Sequence, residues 1–166
     1  MPEKKTIERA RQDKREGKAP STQAGEFVRE EMEHIREGKH GARSTKQAIA
    51  IGLSKARRAG VELPPPKEGQ ASEETRTQAR RDYVKAQKSP GQKPSPTRSR
   101  ATTKALKREA AEAASPSALS RQASASARRR GPSDRGQAAR KAVRTKGSAG
   151  LRSAARKAAR TRSRSQ

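Results

Sequence analysis

The sequence predicts a mostly disordered chain with a small all-α part, and two observations carry that prediction. Only 28% of the 166 residues are hydrophobic and 1% are aromatic, whereas ordinary globular domains are close to half apolar. The formal net charge is +25, from 42 basic and 17 acidic side chains. Because so little apolar surface cannot offset the entropy of ordering the whole chain, folding is expected only where apolar residues concentrate.

Charge and large apolar residues are distributed unequally along the chain. Residues 1–87 contain 20 basic and 14 acidic residues, whereas residues 88–166 contain 22 basic and 3 acidic residues. The large apolar residues of the second half are Leu106, Leu119, Val143 and Leu151. The sequence is therefore predicted to consist of a weakly charged N-terminal half and a cationic tail.

Residues 1–20 are interpreted as a flexible basic leader, because Ile7 is their one large aliphatic residue. Residues 21–66 are predicted to form a helical hairpin domain, whose first helix spans about 22–37. A spacing of i, i+4, i+8 and i+11 places four apolar residues on one face of this helix. These are Ala24, Val28, Met32 and Ile35. The opposite face is expected to be an acidic outer surface, with Glu26, Glu30, Glu33 and Glu37.

The second helix of the hairpin is predicted over about 45–59, before the prolines Pro64–Pro66 end the unit. Its small-residue stripe allows close helix packing and comprises Ile49, Gly52, Leu53, Ala56 and Gly60. Its outer face is expected to be cationic apart from Ile51. Because this core is small, the hairpin is expected to dimerise, to pack against a third helix or to become stable on its ligand, with Ile51 at that contact.

A weaker third helix is predicted over 72–87, within the segment 67–87, with Ser72 as its N-cap. Residues 88–100 are interpreted as a Pro/Ser linker. Residues 101–166 are interpreted as a disordered cationic tail with transient helices, and the high helix propensity of TTKALKREAAEAA predicts one of them at 102–114.

The tail contains an internal repeat of alanines and cations. AARKAVRT at Ala138–Thr145 recurs as AARKAART at Ala154–Thr161, with a break around Gly147–Gly150. Like charges at short spacing oppose a helix in water, but phosphates would neutralise them. The repeat is therefore expected to order from coil to helix on binding an anionic polymer.

The composition excludes several classes of protein. There is no cysteine for a disulfide or thiolate site, no apolar leader of the secretory type, and no run of about 20 apolar residues for a membrane helix. Nucleotide-binding and hydrolase motifs are also missing. Glu30 and His34, at i and i+4, could hold a metal, but a solvated helix face is the preferred interpretation. No catalytic residue, metal site or cofactor is predicted, and the expected location is the cytoplasm, at the nucleoid.

The loop Gly38-Lys39-His40-Gly41 permits two interpretations. A GxxG loop clamps the nucleic-acid backbone in KH domains, but no strand pattern surrounds this one, so a helix end followed by a turn is favoured. Aromatic residues are too few for base stacking, since Phe27 is assigned to the core and Tyr83 is isolated. Any nucleic-acid binding is therefore expected to depend on phosphates.

Residues 20–66 resemble a small bacterial family of uncharacterised proteins, often labelled only as DNA-binding. The segment EGKHGARSTKQAIAIGLSKARRAG carries this resemblance. The tail, residues 88–166, resembles bacterial histone-like and linker-histone tails, and Ser95-Pro96-Thr97-Arg98 resembles their Ser-Pro-basic turns. The chain has 26 Arg and 16 Lys, whereas linker-histone tails favour Lys, and arginine also suits RNA.

The function predicted from the sequence is non-enzymatic, largely sequence-independent DNA binding of the histone-like, nucleoid-associated type. The alternatives are an RNA-binding or ribosome-associated protein, or an adaptor whose hairpin binds another protein. A homodimer through the hairpin is a further possibility. The predicted nucleic-acid contacts are Lys39, Arg43, Lys46, Lys55, Arg57, Arg58, Arg98, Arg128, Arg129, Arg130, Arg140, Lys141, Arg144, Arg156, Lys157 and Arg160.

Overall fold

A computed structural model of the chain describes residues 2–89, 95–129 and 131–163. These residues are 77% helical and contain no strand. The prediction of a mostly disordered chain is therefore wrong. That prediction considered only large apolar side chains as a source of core. Nine of the thirteen buried hydrophobic residues in the described part are alanines, which favour helices and let them pack closely.

The chain divides into two compact units, Met1–Gln122 and Ala123–Gln166. The first unit contains five α-helices and a 3₁₀ helix, α6 crosses the boundary, and α7 lies in the second unit. The helices are α1 Lys4–Arg15, α2 Pro20–Arg36, α3 Thr45–Arg58, α4 Glu73–Lys88, α5 Pro96–Leu106, the 3₁₀ helix Ala111–Ala114, α6 Pro116–Arg129 and α7 Pro132–Ser163. No helix of the described residues combines the length and apolarity needed to cross a bilayer.

Helices α2 and α3 form a hairpin at the predicted place, with Ser44 capping α3 through a hydrogen bond from the backbone N–H of Gln47 (3.2 Å). The two backbones approach closely at Gly52. A Cβ at this position would lie 2.7 Å from the Cα of Val28, so glycine sets the distance between the helices.

Helix α1 packs against α2, so the prediction of a flexible leader is wrong. Ala10 is buried and Ile7 is partly buried in one apolar cluster with Phe27 of α2. The buried positions of α1 are Thr6, Ala10 and Asp13. They follow helical spacing, but their small or polar side chains conceal the apolar face from a search for large aliphatic residues.

The 3₁₀ helix Ala111–Ala114 packs at the other end of the hairpin. Ala113 and Ala114 are buried against Met32 and Ile35 of α2. The hydroxyl of Thr45 donates to the carbonyl of Ala113 (2.7 Å). The predicted helix over 102–114 is therefore wrong: α5 ends at Leu106, and the following segment makes long-range contacts that local propensity cannot reveal.

The same segment passes directly over the hairpin loop. The backbone N–H of Gly41 donates to the carbonyl of Leu106 (2.9 Å), and a Cβ on Gly41 would overlap the carbonyl oxygen of Glu109. Gly38 has φ +72°, as expected where a helix ends in a turn. The GKHG loop is thus a helix end and a backbone contact, with no sheet beside it in the described residues.

Helix α4 packs against α3, and the hydroxyl of Ser54 donates to the carboxylate of Asp82. Ser72 caps α4 through the backbone N–H of Thr75 (3.3 Å). Ile51, on the same side of α3 as Ser54, is partly buried. Packing against a third helix, one of the three expected ways to stabilise the hairpin, is therefore observed.

The predicted linker and tail also require correction. The linker 88–100 contains the end of α4 and the start of α5, and residues 90–94 lie outside the described part. The tail is helical in α6 and α7 rather than disordered. Gly147, with φ 64° and ψ 174°, interrupts α7 between the two repeat copies. No residue of α7 is buried, so its helicity rests on local propensity and not on a core.

Candidate nucleic-acid interface

The repeats in α7 present cations at matching helical positions. In each copy the basic side chains lie at i, i+1 and i+4, a spacing that places them along one side of a helix. All six side chains are exposed. They are Arg140, Lys141 and Arg144 in the first copy, and Arg156, Lys157 and Arg160 in the second.

These cations have almost no neutralising charge within their own unit. Asp134 is the one acidic residue of α7, and it lies in the first turn. Within the described part of the chain, no lysine or arginine of α7 forms an ion pair. This helix therefore presents a positive potential that an external anion can neutralise.

Three predicted contacts lie around the start of α3. Lys46 is exposed, and Arg43 is exposed with its Nε 3.7 Å from a carboxylate oxygen of Glu109. Lys39 pairs with Glu37 at 2.9 Å, and this hydrogen bond is the main reason that the pKa of Lys39 is raised. All three side chains remain accessible to solvent, and Lys39 is already partly neutralised.

Lys55 does not lie on the cationic outer face that the sequence indicated. Its Nζ lies 2.6 Å from Oε2 of Glu31 and 3.5 Å from Oε1 of Glu30, and both glutamates are buried. The long side chain reaches back to α2, which a helical wheel does not show. We therefore remove Lys55 from the candidate interface.

Arg57 and Arg58 are also engaged within the chain. Arg57 is 5% exposed and donates from Nε to the carbonyl of Leu63 (3.1 Å), and burial lowers the pKa of its guanidinium. Arg58 donates to the carbonyl and hydroxyl oxygens of Ser54. Arg57 therefore fixes the segment that follows α3, and Arg58 bonds to Ser54, whose hydroxyl contacts Asp82 of α4. Both guanidinium groups are engaged within the chain and are not free cations like those of α7.

The remaining predicted contacts are on α5 and α6. Arg98 is exposed in the first turn of α5, where its backbone N–H donates to the Ser95 hydroxyl (3.3 Å). The Ser-Pro-Thr-Arg string is thus a capped helix start with Pro96 in the first turn. Arg128 and Arg129 are exposed in the last turn of α6. Arg130 lies outside the described residues.

The sequence interpretation missed two cationic helix faces in the first unit. One lies on α4 and lines a surface groove of about 640 Å³ together with Val84, which is 41% exposed. The other lies on α5 and lines a groove of about 530 Å³. Helical spacing alone would have identified Arg80, Arg81, Lys85 and Lys88 on α4 and the α5 cations Arg100 and Lys104. Lys107 and Arg108 line the second groove from the turn that follows α5.

The acidic outer surface predicted for α2 is only partly present. Glu33 and Glu37 are exposed, but Glu30 is 3% exposed. Glu26 is largely covered and forms an ion pair with Arg29 at 2.5 Å. Glu30 is covered because α1, the N-terminal residues and Lys55 surround the face that was expected to meet solvent. A continuous acidic docking face is therefore absent from the described part of α2.

Comparison with known proteins gives one match. Residues 3–67 match the model of a family of unknown function (DUF6496). This stretch contains α1, the α2–α3 hairpin and the prolines that follow it. No curated protein and no solved structure matches the chain. The cationic faces of α4, α5 and α7 lie outside the matched stretch.

Proposed function

We propose that this protein binds duplex DNA largely without sequence preference, through phosphate contacts from α7. The proposal rests on the exposed cations of the two repeat copies, which form no ion pair with any residue that the structure describes. Phosphates would neutralise like charges that repel one another along the free helix, and release of counterions would drive binding. The cationic faces of α4 and α5 would supply further contacts.

The helical form of α7 favours duplex DNA over duplex RNA. Gly147 divides the helix into two halves, each about 22 Å long at 1.5 Å per residue. The major groove of B-form DNA admits an α-helix, whereas the deep and narrow major groove of A-form RNA does not. This argument supports DNA as the ligand and leaves RNA binding as the alternative outcome.

The described side chains offer little for reading bases. Phe27 is 1% exposed within the hairpin core, and Tyr83 is a single, partly buried aromatic residue on α4. Without an aromatic platform, stacking on unpaired bases contributes little. We therefore expect similar affinity for DNA duplexes of different sequence.

The experiment is a salt titration of binding with the full chain. Replacing Arg140, Lys141 and Arg144 by Gln should reduce the slope of log K against log salt by roughly 3, since each lost phosphate contact removes about 0.9. The same change in Lys4, Lys5 and Arg11, exposed cations of α1, is the charge-matched control. Glutamine is a good helix former, so both variants should remain helical, and circular dichroism checks that they do.

Three outcomes distinguish the possibilities. A smaller slope for the α7 variant and an unchanged slope for the α1 variant support the proposal. Equal losses in both variants would show that net charge alone determines binding and would contradict a role specific to α7. Tighter binding to an RNA duplex of equal length would replace DNA by RNA as the ligand.

A further inference from the structure

Two histidines and a buried glutamate converge at one end of the α2–α3 hairpin. Glu31 and His34 lie one turn apart on α2, and His40 lies in the loop before α3. One potential ligand atom from each residue lies within 4.8 Å of the other two. Helical spacing in the sequence indicates a pair of Glu30 with His34, but in the structure Glu31, three residues before His34, shares this cluster.

The carboxylate of Glu31 is fully buried and incompletely satisfied. Glu31 is 0% exposed, and its Oε1 accepts no hydrogen bond from the described residues. This atom lies 3.5 Å from Nε2 of His40. A buried carboxylate oxygen without a donor is costly, so the position of Oε1 requires a compensating group.

The hydrogen bond of His40 determines what its Nε2 can offer. Nδ1 of His40 lies 3.1 Å from the carbonyl oxygen of Gly41, which can only accept, so Nδ1 carries the proton. In the neutral ring, Nε2 then directs a lone pair towards the Glu31 carboxylate. In that form two atoms bearing lone pairs face each other across 3.5 Å, and a cation between them, either a proton or a metal ion, would stabilise the arrangement.

His34 is oriented in a comparable way. Its Nε2 lies 2.9 Å from a carboxylate oxygen of Glu3, which leaves the remaining ring nitrogen available. Metal-binding histidines commonly donate their second nitrogen to a carboxylate or a backbone carbonyl. Here Glu3 supplies the carboxylate for His34, and Gly41 supplies the carbonyl for His40.

The local charge also favours a cation. Glu30 and Glu31 are 3% and 0% exposed, and among the described residues Lys55 is the one lysine or arginine that pairs with either of them, with His40 beside Glu31. A donor for Glu30 is the backbone N–H of Glu3, at 3.0 Å from its Oε2. Two buried carboxylates on one lysine leave an excess of negative charge, which is unfavourable in a low-dielectric interior.

We propose that Glu31, His34 and His40 bind a divalent transition-metal ion, for which Zn²⁺ is the best fit. Zn²⁺ prefers imidazole nitrogen and carboxylate oxygen at about 2.0–2.2 Å, and three protein ligands leave one position for water. Ligand atoms around such an ion are roughly 3.4 Å apart, so the three side chains need to close by about an ångström. His34 and His40 are 14% and 13% exposed, which gives the ion access from solvent.

The ion would have a structural role. It would join α2 to the loop before α3, and through the Glu3–His34 bond it would fix the chain just before α1. All four residues lie in the stretch matched by the family of unknown function. The site is independent of the proposed DNA contacts on α7, so failure of either proposal leaves the other intact.

The result of the test is easy to assign, because the chain has two histidines and no cysteine as alternative nitrogen or sulfur ligands. Full-length protein freed of metal with a chelator is titrated with Zn²⁺ by calorimetry, while NMR follows the two imidazoles. We expect one strong equivalent per chain, shifts of both imidazoles and a higher melting temperature. Co²⁺ should give the intense visible absorption of a tetrahedral or five-coordinate site.

Variants assign the ligands. His40→Gln should weaken Zn²⁺ binding at least tenfold while circular dichroism remains that of the wild type, and Glu31→Gln should do the same. Because Glu31 also pairs with Lys55 and its change can disturb folding, His40→Gln is the deciding variant. Glu33→Gln, an exposed position beside His34, is the matched control and should bind normally.

The proposal is overturned if Zn²⁺ moves neither imidazole signal, or if His40→Gln binds the ion as tightly as the wild type. The second result would place the bound ion on surface carboxylates. Equal weakening in Glu33→Gln would likewise show that general negative charge, and not this cluster, attracts the metal.

Discussion

Gly52 illustrates how a single residue controls the packing of this protein. It lies where α3 meets α2, and an added Cβ would be 2.7 Å from the Cα and 3.0 Å from the Cγ2 of Val28. Backbone atoms cannot move aside as the end of a long side chain can. The close approach of the two helices therefore depends on the absence of a side chain at this position.

We expect Gly52→Ala to destabilise the protein by about 1–3 kcal/mol, the usual effect of overpacking, even though alanine is the better helix former. Gly25→Ala on α2 is the control, because nothing lies within 4 Å of the added Cβ. That variant should gain up to about 1 kcal/mol from helix propensity. Urea unfolding measures both, and a stabilised Gly52→Ala would refute the close approach.

Arg57 shows what residue type alone does not reveal. A sequence that is rich in arginine indicates phosphate binding, yet this guanidinium is 5% exposed and donates to the carbonyls of Leu63 and Pro64. Lys55 is similarly engaged with Glu31. Both residues were predicted to bind nucleic acid from their place on a helical wheel. A helical wheel gives the direction of a side chain but not the partners that tertiary packing supplies.

At the scale of elements, the 3₁₀ helix Ala111–Ala114 connects distant parts of the first unit. Ala114 is 0% exposed, and its carbonyl accepts from Nε of Arg36 at 2.9 Å. The segment has no large side chain, so its docking depends on a close fit to the end of the hairpin. Because Ala114 is fully buried, a long side chain there would have to displace the atoms that now cover it.

Ala114→Glu should therefore destabilise the first unit by roughly 3 kcal/mol, the scale for overpacking a fully buried position and desolvating a charge, even with Arg36 nearby. Ala111→Glu makes the same chemical change at an exposed position of the same 3₁₀ helix and should cost less than about 0.5 kcal/mol. Hydrogen exchange at Gly41 and Ala42, whose N–H groups donate to Leu106 and Ala110, reports whether the segment has left the hairpin. Equal stabilities of the two variants would contradict this docking.

Helix α1 and the third helix show how far element prediction reaches. The hairpin follows from apolar periodicity, and α4 follows from its apolar stripe and the cap Ser72, all of which are local signals. Helix α1 was missed because its buried positions are small or polar, and the end of α5 was misplaced because a long-range contact determines it. Local patterns therefore identified the elements that carry their own apolar stripe.

At the scale of the whole molecule, the net charge of +25 concentrates in helices without buried residues. Arg152, Arg156 and Arg160 follow one another at i, i+4 and i+8 on α7, and Arg140 and Arg144 repeat that spacing. Like charges at i, i+4 destabilise a helix by a few tenths of a kcal/mol per pair. Ionic screening should relieve this repulsion.

We therefore expect the helicity of the free protein to increase between about 0.01 M and about 1 M salt, as the Debye length falls from about 30 Å to about 3 Å. Circular dichroism measures the change. A variant with Arg144 and Arg156 replaced by Gln removes the central repulsions and should show a smaller increase. Helicity that is independent of salt in both proteins would mean that charge repulsion is negligible in α7.

The sequence by itself determined the charge distribution, the hairpin, the Ser72 cap of α4 and the repeat in the tail. Each of these depends on residues that are neighbours along the chain or lie on one helix face, so composition and periodicity are sufficient to identify them.

Only the tertiary structure decided which cations are exposed and which polar side chains meet. The convergence of Glu31, His34 and His40 combines two positions on α2 with one in the following loop. The contacts of buried Glu30 with Glu3 and Lys55 likewise join segments more than 20 residues apart in sequence. Contacts of this kind are set by how the helices pack, which no local pattern encodes.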